Sequence, residues 1–541
     1  MDSLTNLAVV APPKEEPLTA VWGLRVVSGL LEVGLWVVVA GSVVAFGSVH
    51  TWAYVPLWYA ILALFALAGV RAAIVVRLRR SLGRRSFRLD PLGRSLLYNE
   101  PSPYGMRSWS FDLDRPLVPV GPLLLPGVFF AAWVVFQLVP MPSGVSRLLH
   151  LGVPPETSGP GWQPLSMAAS DTLRGLLFLG AALLLHAVGS VVFDRPDPNR
   201  RFRLLVAWLG LALALGALAQ AASGTRLIYG LFLPSERDGS HSIFGPFVNR
   251  NHFAGYMLMV VPVAFGVLAR AFHRYAGRVG ARANLRRRLV ELQSAEGTAL
   301  IYASIPALAA VGALIAANSR GALLAFGGVL LLGGAISRGR RGLAGWFLAV
   351  VVVGVVASWW GIERFGTRLS RSTVEAGGRT AVWRDSLERM DGLWVVGSGF
   401  NTFGPAMSRV GVWQLPDGAT PWPEWFDPSG GARFGFRTPV GVEGMPWYRE
   451  AHNDYLQLLV EAGLPGLFLG LWAIVAVWRG SRDDPWLLAA LIGVLLHSLV
   501  DFPLQIPAVT VLFVVLAAAG PVLHRSARTR TEGVGAVGAV Q

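Results

Sequence analysis

The stretch Arg449–Gly466, REAHNDYLQLLVEAGLPG, carries a histidine, amides and carboxylates at the mouth of an apolar run. Polar groups entering a bilayer are costly, so they mark function. Histidine is the residue type whose ordinary pKa, about 6.5, suits a base near neutral pH, which makes His452 the candidate base. The plain alternative is a structural histidine at the interface. Asn453, Gln457 and Glu461 recur every four residues as one polar stripe, while His452, Tyr455, Leu456 and Leu459 form another face. Asn453 or Asp454 suits a helix N-terminus. Glu450 or Asp454 could orient the imidazole. A metal is not expected, because HNDYL lacks the second histidine of HExxH and the outside loops hold no pair of metal-binding Asp.

Three further stretches could work with it. NSRGALLAF (318–326) is a tight turn with Arg320 at its apex, and GGRTAVWRDSLERM (377–390) sets two glycines before Arg379 at the start of an amphipathic helix. Free N–H groups at a helix start attract phosphate, and guanidinium adds a planar two-pronged donor. Either arginine alone could simply reach for headgroups or decorate a loop; together they suit a pyrophosphate. In HSLVDFPLQIPA (497–508), His497 and Asp501 lie one turn apart and could pair, for structure or to orient a site. GSGFNTFG (397–404) is no dinucleotide fingerprint, having neither a preceding strand nor a βαβ unit, and DLD (112–114) sits in a basic loop without a folded partner.

The elements that must hold these groups are membrane helices. Of 541 residues, 53% are hydrophobic and only 15% charged, against about 25% charged in soluble proteins. Apolar runs near the ~20-residue bilayer span recur along the chain. They fall near 26–46, 53–76, 118–139, 171–193, 204–222, 252–270, 299–317, 321–337, 342–360, 456–478, 485–500 and 507–523. We expect an all-α polytopic protein of about 12 transmembrane helices. The N-terminal stretch is polar, so the first span itself is expected to direct insertion. Lys14 is the single lysine among 47 basic residues, and the net charge is +15. The arginines gather in alternate loops, among them RLRRSLGRRSFR (77–88), RPDPNRRFR (195–203) and RYAGRVGARANLRRR (274–288). That pattern sets orientation, with the N-terminus in the cytoplasm, and argues against nucleic acid as the partner. There is no cysteine, which excludes disulfides and thiolate metal sites.

One outside segment breaks the pattern. Gly361–Ala451 is long and rich in Trp, Pro and Gly, too aromatic for a solvated linker, so a folded cap is expected there. Leu467–Trp478 alone is too short to span, so its helix must begin before Gly463 and break at Gly463–Pro465. Such breaks survive at membrane depth only where protein or a cavity surrounds them. The expected organisation is a cytoplasmic tail (1–25), N-terminal transmembrane helices (26–244), core transmembrane helices (245–360), the cap (361–455), C-terminal helices (456–523) and a second tail (524–541).

GPFVNRNHFAGYM (245–257), NSRGALLAF, GGRTAVWRDSL, GSGFNTFG, AHNDYLQLLVEAGLPGLF and HSLVDFPLQIPA, in that order, resemble the bacterial O-antigen ligase and Wzy-type polymerase superfamily. The resemblance covers roughly half the chain, from about 245 to 523. It implies a fold similar to the C-type glycosyltransferases, with a large periplasmic loop cap. The implied activity is metal-independent, inverting transfer of a glycan from undecaprenyl diphosphate to an acceptor hydroxyl, on the periplasmic side of the cytoplasmic membrane and without a cofactor. The acceptor would be a growing glycan, a lipid A core or a protein hydroxyl. By family position Arg320 and Arg379 hold the diphosphate and His452 acts on the hydroxyl. Arg250, Asn251, Arg384, Asn453, Tyr455 and Asp501, all within these motifs, are the expected substrate-binding residues. A lipid-linked-sugar flippase is the alternative from another class; it should carry ionisable groups near mid-membrane, whereas here they cluster at the outer edge.

Overall fold

The computed structural model describes residues 15–82, 86–89, 95–96, 109–112, 116–117, 119–150, 161–225, 227–232, 243–280, 282–336, 372–388, 390–409, 420–426, 432–438, 441–444 and 450–520. The expected span at 342–360 lies outside them. The chain is mostly helical. In order the helices are α1 (Glu15–Val44), α2 (Thr51–Leu82), α3 (Leu124–Leu138), α4 (Ser143–Leu149), α5 (Ala169–Val192), α6 (Pro196–Ser223), α7 (Arg250–Val279) and α8 (Leu285–Glu291). There follow α9 (Ala295–Ala316), α10 (Arg320–Ile336), α11 (Ser372–Glu388), α12 (Phe403–Arg409), α13 (Asp454–Ser481), α14 (Pro485–His497) and α15 (Pro507–Ala519).

Eleven of the twelve expected spans coincide with helices. Among the described residues seven helices, α1, α2, α5, α6, α7, α9 and α13, are long and apolar enough to cross a membrane. α3, α14, α15 and the apolar part of α10 are shorter. The protein is thus a multi-pass membrane protein.

Short antiparallel sheets interrupt the helices. Trp109–Asp112 pairs with Ser86–Leu89, which gives the first Asp of DLD a folded partner strand after all. Within the expected cap, Thr420–Phe426, Ala432–Thr438 and Gly441–Gly444 form a three-stranded meander. Alternating Trp, Phe and Val favour strand in such a segment.

α7 is the centre. It is apolar on nearly every face, and a helix of that kind must be buried. It packs against α6, α9 and α14, and residues Phe253–Gly266 are buried without interruption. At the end of α14 away from His497, Asp484 caps the helix and pairs with buried Arg203. Asn199 of the same turn donates to the Ala519 carbonyl at 3.0 Å.

α13 breaks where expected. Gly463 has φ 64° and ψ −169°, outside the helical region. A Cβ there would sit 2.5 Å from the Val395 carbonyl oxygen, so only glycine fits. The break frees backbone groups, and each finds a partner. Ser398 N–H donates to the Val460 carbonyl and Gly399 N–H to the Glu461 carbonyl, both at 2.9 Å, while Leu464 N–H donates to Trp394 at 2.9 Å. From α3, Trp133 Nε1 donates to the Ala462 carbonyl at 2.9 Å, and Gln137 Nε2 to the carbonyls of Val396 (2.6 Å) and Glu461 (2.8 Å). Gln137 Oε1 accepts from Phe400 N–H at 3.0 Å. GSGFNTFG is therefore the clasp around a broken helix.

Candidate functional site

His452 stands immediately before α13, in the left-handed region with φ 50°. Such a backbone is rare for a side chain larger than Asn and must be held by its surroundings. Two attachments hold it. Trp383 of α11 donates to the carbonyl of Ala451 at 2.9 Å, and the Ala451 N–H donates to Gln457 Oε1 at 3.0 Å. Asn453 caps α13, its Oδ1 accepting from Tyr455 N–H (3.0 Å) and Leu456 N–H (3.1 Å). This is the ordinary use of Asn at that position.

The loop 498–506, between α14 and α15, is locked to the same turn. Asp454 N–H donates to the Ser498 carbonyl at 2.9 Å. The Asp454 carboxylate accepts from Ser498 Oγ (2.7 Å), Gln505 Nε2 (3.0 Å) and Leu504 N–H (3.3 Å). Gln457 Nε2 donates to Gln505 Oε1 at 3.0 Å and to Glu450 at 3.0 Å. Tyr455 donates its hydroxyl to the Leu495 carbonyl at 2.8 Å.

That lock sets Asp501 against His452. Oδ1 of Asp501 lies 3.5 Å from His452 Nδ1, near enough for charge attraction though not aligned as a hydrogen bond. Its Oδ2 faces Arg379 Nη2 at 3.7 Å and His497 Nε2 at 3.9 Å. Arg379 Nη1 also donates to the Val500 carbonyl at 2.6 Å. Asp501 is buried, while His452 remains 36% exposed and Arg379 32%. Burial alone would push the Asp501 carboxyl up. The nearby His452, His497, His252 and Arg379 outweigh it and hold the group well below the usual carboxylate range.

His497 is fully buried and its ring is accommodated by two glycines. A Cβ on Gly255 of α7 would lie 3.3 Å from Nδ1, and one on Gly321 of α10 would lie 3.4 Å from Nε2 and 2.6 Å from Val500 Cγ2. Gly321 adjoins Arg320, so the first turn of α10, with half-buried Arg320, abuts the Asp501 loop. His252, in the first turn of α7, and His452 each meet the Phe502 ring edge-to-face at 5.0 Å.

The expected residues divide as follows. His452, Arg379 and Asp501 converge, and Arg320 stands one residue before Gly321, which packs against His497 and Val500. Arg250 and Asn251 open α7 in the same first turn as His252, with the Asn251 N–H bound by the Asn249 cap. Asn453 and Tyr455 spend the groups just described on the backbone. Arg384 points away into pairs with Asp385 (3.4 Å) and Glu388 (3.7 Å) and is 70% exposed. Neither Glu450 nor Asp454 orients the imidazole; both are engaged by Gln457, Ser498 and Gln505, and Asp501 stands there instead. His252 was not singled out by sequence, although its place three residues after the Asn249 cap marks it as a polar group in a first helical turn.

The arrangement joins an imidazole, a buried carboxylate on its Nδ1 side and a guanidinium at the lip of a broken membrane helix. Residues 305–471 match the family model for O-Antigen ligase. Over this segment the chain is similar to that domain. The matched segment runs from within α9 to within α13 and contains Arg320, Arg379 and His452; His252, His497 and Asp501 come from outside its bounds. The superfamily resemblance is thereby supported over a segment short of half the chain. No match is found among curated proteins.

Proposed function

We propose that the protein transfers a glycan from undecaprenyl diphosphate to an acceptor hydroxyl on the periplasmic face of the cytoplasmic membrane, as an O-antigen ligase does. The observation that carries the reading is the His452–Asp501 pair beside Arg379. A carboxylate at Nδ1 keeps the ring proton on that nitrogen and leaves Nε2 free to accept one. In transfer, the acceptor O–H gives its proton to Nε2 as the oxygen bonds to the anomeric carbon. The bond from that carbon to the diphosphate oxygen breaks, and the electron pair leaves on undecaprenyl diphosphate. Attack opposite the leaving group inverts the centre.

A glycosyl diphosphate departs readily, so the acid of a two-carboxylate glycosidase is unnecessary. What remains is stabilisation of charge on the departing diphosphate, the role assigned to Arg379 and Arg320. Arg379 keeps N–H groups beyond those on Val500 and Asp501, and its fixed fork suits phosphate oxygens. The ligase domain match favours this enzyme class over a flippase, as does a polar cluster at helix ends rather than mid-membrane.

The test is transfer from purified lipid-linked donor in membranes, with donor affinity followed separately. His452→Gln should lose about 10²–10⁴-fold in rate, the worth of a general base, with donor affinity retained. Near wild-type turnover in this variant would refute the base assignment. Ligase is separated from polymerase by deleting the gene and resolving surface glycans on gels: lost attachment marks a ligase, lost chain length a polymerase.

A further inference from the structure

Outside the loops already described, one cluster stands apart. At the junction of α1 and α2, and in the loop after α6, four rings gather around Phe46. Trp52 meets Phe46 at 5.5 Å, Tyr229 at 5.6 Å, Phe232 at 5.1 Å and His50 at 6.2 Å. His50 also lies nearly parallel to Trp52, at 12° and 6.3 Å. Trp52 is 59% exposed and Tyr229 52%, the latter with its hydroxyl donating to the Val44 carbonyl at 2.7 Å.

The backbone here is costly. Phe46, Ser48 and Tyr229 all have positive φ, at 55°, 57° and 56°. Bulky residues in that region are outliers that persist only when their surroundings impose them, and they concentrate at functional sites. The other non-glycine residues with positive φ among those described are Asn318, Asn401 and His452. All three belong to the turn before Arg320, the clasp or the candidate base. His50 Nε2, moreover, is buried without a hydrogen-bond partner. A cluster shaped only for folding would avoid both costs.

The cluster is also continuous with the site. A Cβ on Gly47 would sit 2.9 Å from the Phe247 ring and 3.5 Å from Ile506. Phe247 precedes the Arg250–His252 turn of α7, and Ile506 ends the loop that carries Asp501. The cluster is therefore packed through Gly47 onto the segments that lead into α7 and out of the Asp501 loop.

We infer that Trp52 and Tyr229 form an aromatic shelf that binds a pyranose ring of the glycan undergoing transfer, one or more residues from the reacting sugar. The C–H face of a pyranose presents slightly positive hydrogens, and an aromatic face is negative. A rigid pair of exposed rings next to a transfer site offers that contact at small entropic cost. The inference rests on the glycan-transfer reading, which brings a saccharide to this edge. A role as interfacial anchor rings, common for Trp and Tyr in membranes, would require neither the strained backbone nor the junction with the Asp501 loop.

The experiment uses full-length protein in nanodiscs and, as probe, the radiolabelled oligosaccharide released by mild acid from the cell's own lipid-linked glycan. Equilibrium binding is measured for wild type, Trp52→Ala and Trp52→Phe, and repeated in a His452→Gln background. Trp52→Ala should bind about three- to tenfold more weakly, the worth of one ring-face contact, and Trp52→Phe should bind nearly as wild type. Unchanged binding in Trp52→Ala, or no binding by wild type, would overturn the shelf. So would lower yield in membranes with unchanged affinity per molecule, the mark of a bilayer anchor. A loss confined to glycan-free undecaprenyl phosphate would make the surface a lipid-chain contact and also overturn it. If instead His452→Gln retains transfer while Trp52→Ala weakens binding, the shelf stands and the base assignment fails.

Discussion

Replacing Asp501 by Asn tests whether His452 works as half of a pair. The substitution keeps the shape of the loop and removes one charge. When the imidazole accepts the acceptor's proton it becomes a cation, and at 3.5 Å from Asp501 Oδ1 the attraction is about 5 kcal/mol for an effective dielectric of ~20. His452 is 36% exposed, so water screens part of this, and halving it leaves about 2.4 kcal/mol. At 1.36 kcal/mol per decade, the expected loss of rate lies between about 50-fold and about 3,000-fold. The assay is single-turnover transfer of labelled glycan in proteoliposomes at saturating donor. Asp501→Asn should lower this rate while donor affinity holds. The double variant with His452→Gln should be no slower than the worse single variant, because the two residues act as a unit. A rate within about threefold of wild type at equal protein level would refute the pairing and leave Asp501 as a fold residue.

Other perturbations bear on the same framework. Asp501 is held below the usual carboxylate value of about 3.9. Its own contribution to stability is therefore complete above that value and is lost only as pH falls through its lower pKa; in thermal melts the advantage of wild type over Asp501→Asn should shrink only below about pH 4, and a shrinkage already at about pH 6 would deny Asp501 its lowered pKa. Arg379→Lys and Arg320→Lys should each slow transfer about ten- to a hundredfold with charge retained, through loss of paired donors; full activity in both would make these arginines anchors of the fold. Gln137→Leu removes the side-chain partner of the Val396 carbonyl and of the Phe400 N–H, while the Glu461 carbonyl keeps the Gly399 N–H. At roughly 1–3 kcal/mol for each unsatisfied group, detergent-solubilised protein should melt several degrees lower, and an unchanged melt would deny the clasp its role.

Much of the helical frame is readable from apolar run length, because eleven runs needed nothing more than bilayer thickness to explain them. The break in α13 was readable too. Gly463 and Pro465 are local signals, and the shortness of Leu467–Trp478 makes a continuous helix after the break inadequate. The groups that repair the break were not readable. Trp133 and Gln137 belong to a helix more than three hundred residues away in sequence, and neither side chain announces which carbonyl it will meet. GSGFNTFG illustrates the same limit: its glycines mark an unusual backbone, but only packing shows that the backbone is unusual because it follows α13.

The site follows the same division, and the choice of carboxylate shows why. By sequence Asp454 is two residues from His452 and Asp501 is forty-nine away, so proximity along the chain favours Asp454. Hydrogen-bond competition decides the reverse. At the first turn of a helix Asp454 is beside the Ser498 hydroxyl and the Gln505 amide, and its carboxylate accepts from both and from the Leu504 N–H. A carboxylate so occupied is a clamp. What it clamps is the loop that contains Asp501, whose own carboxylate accepts from the Phe502 N–H and otherwise faces His452, His497 and Arg379. The acid near in sequence thus fixes the position of the acid that is near in space. The polar stripe on α13 serves that clamp, with Gln457 bound to Gln505 and Glu461 bound to the N–H groups of Asn401 (2.8 Å) and Phe403 (3.0 Å). The polar residues at the mouth of this apolar helix therefore divide between one candidate base and the scaffold that keeps it facing Asp501.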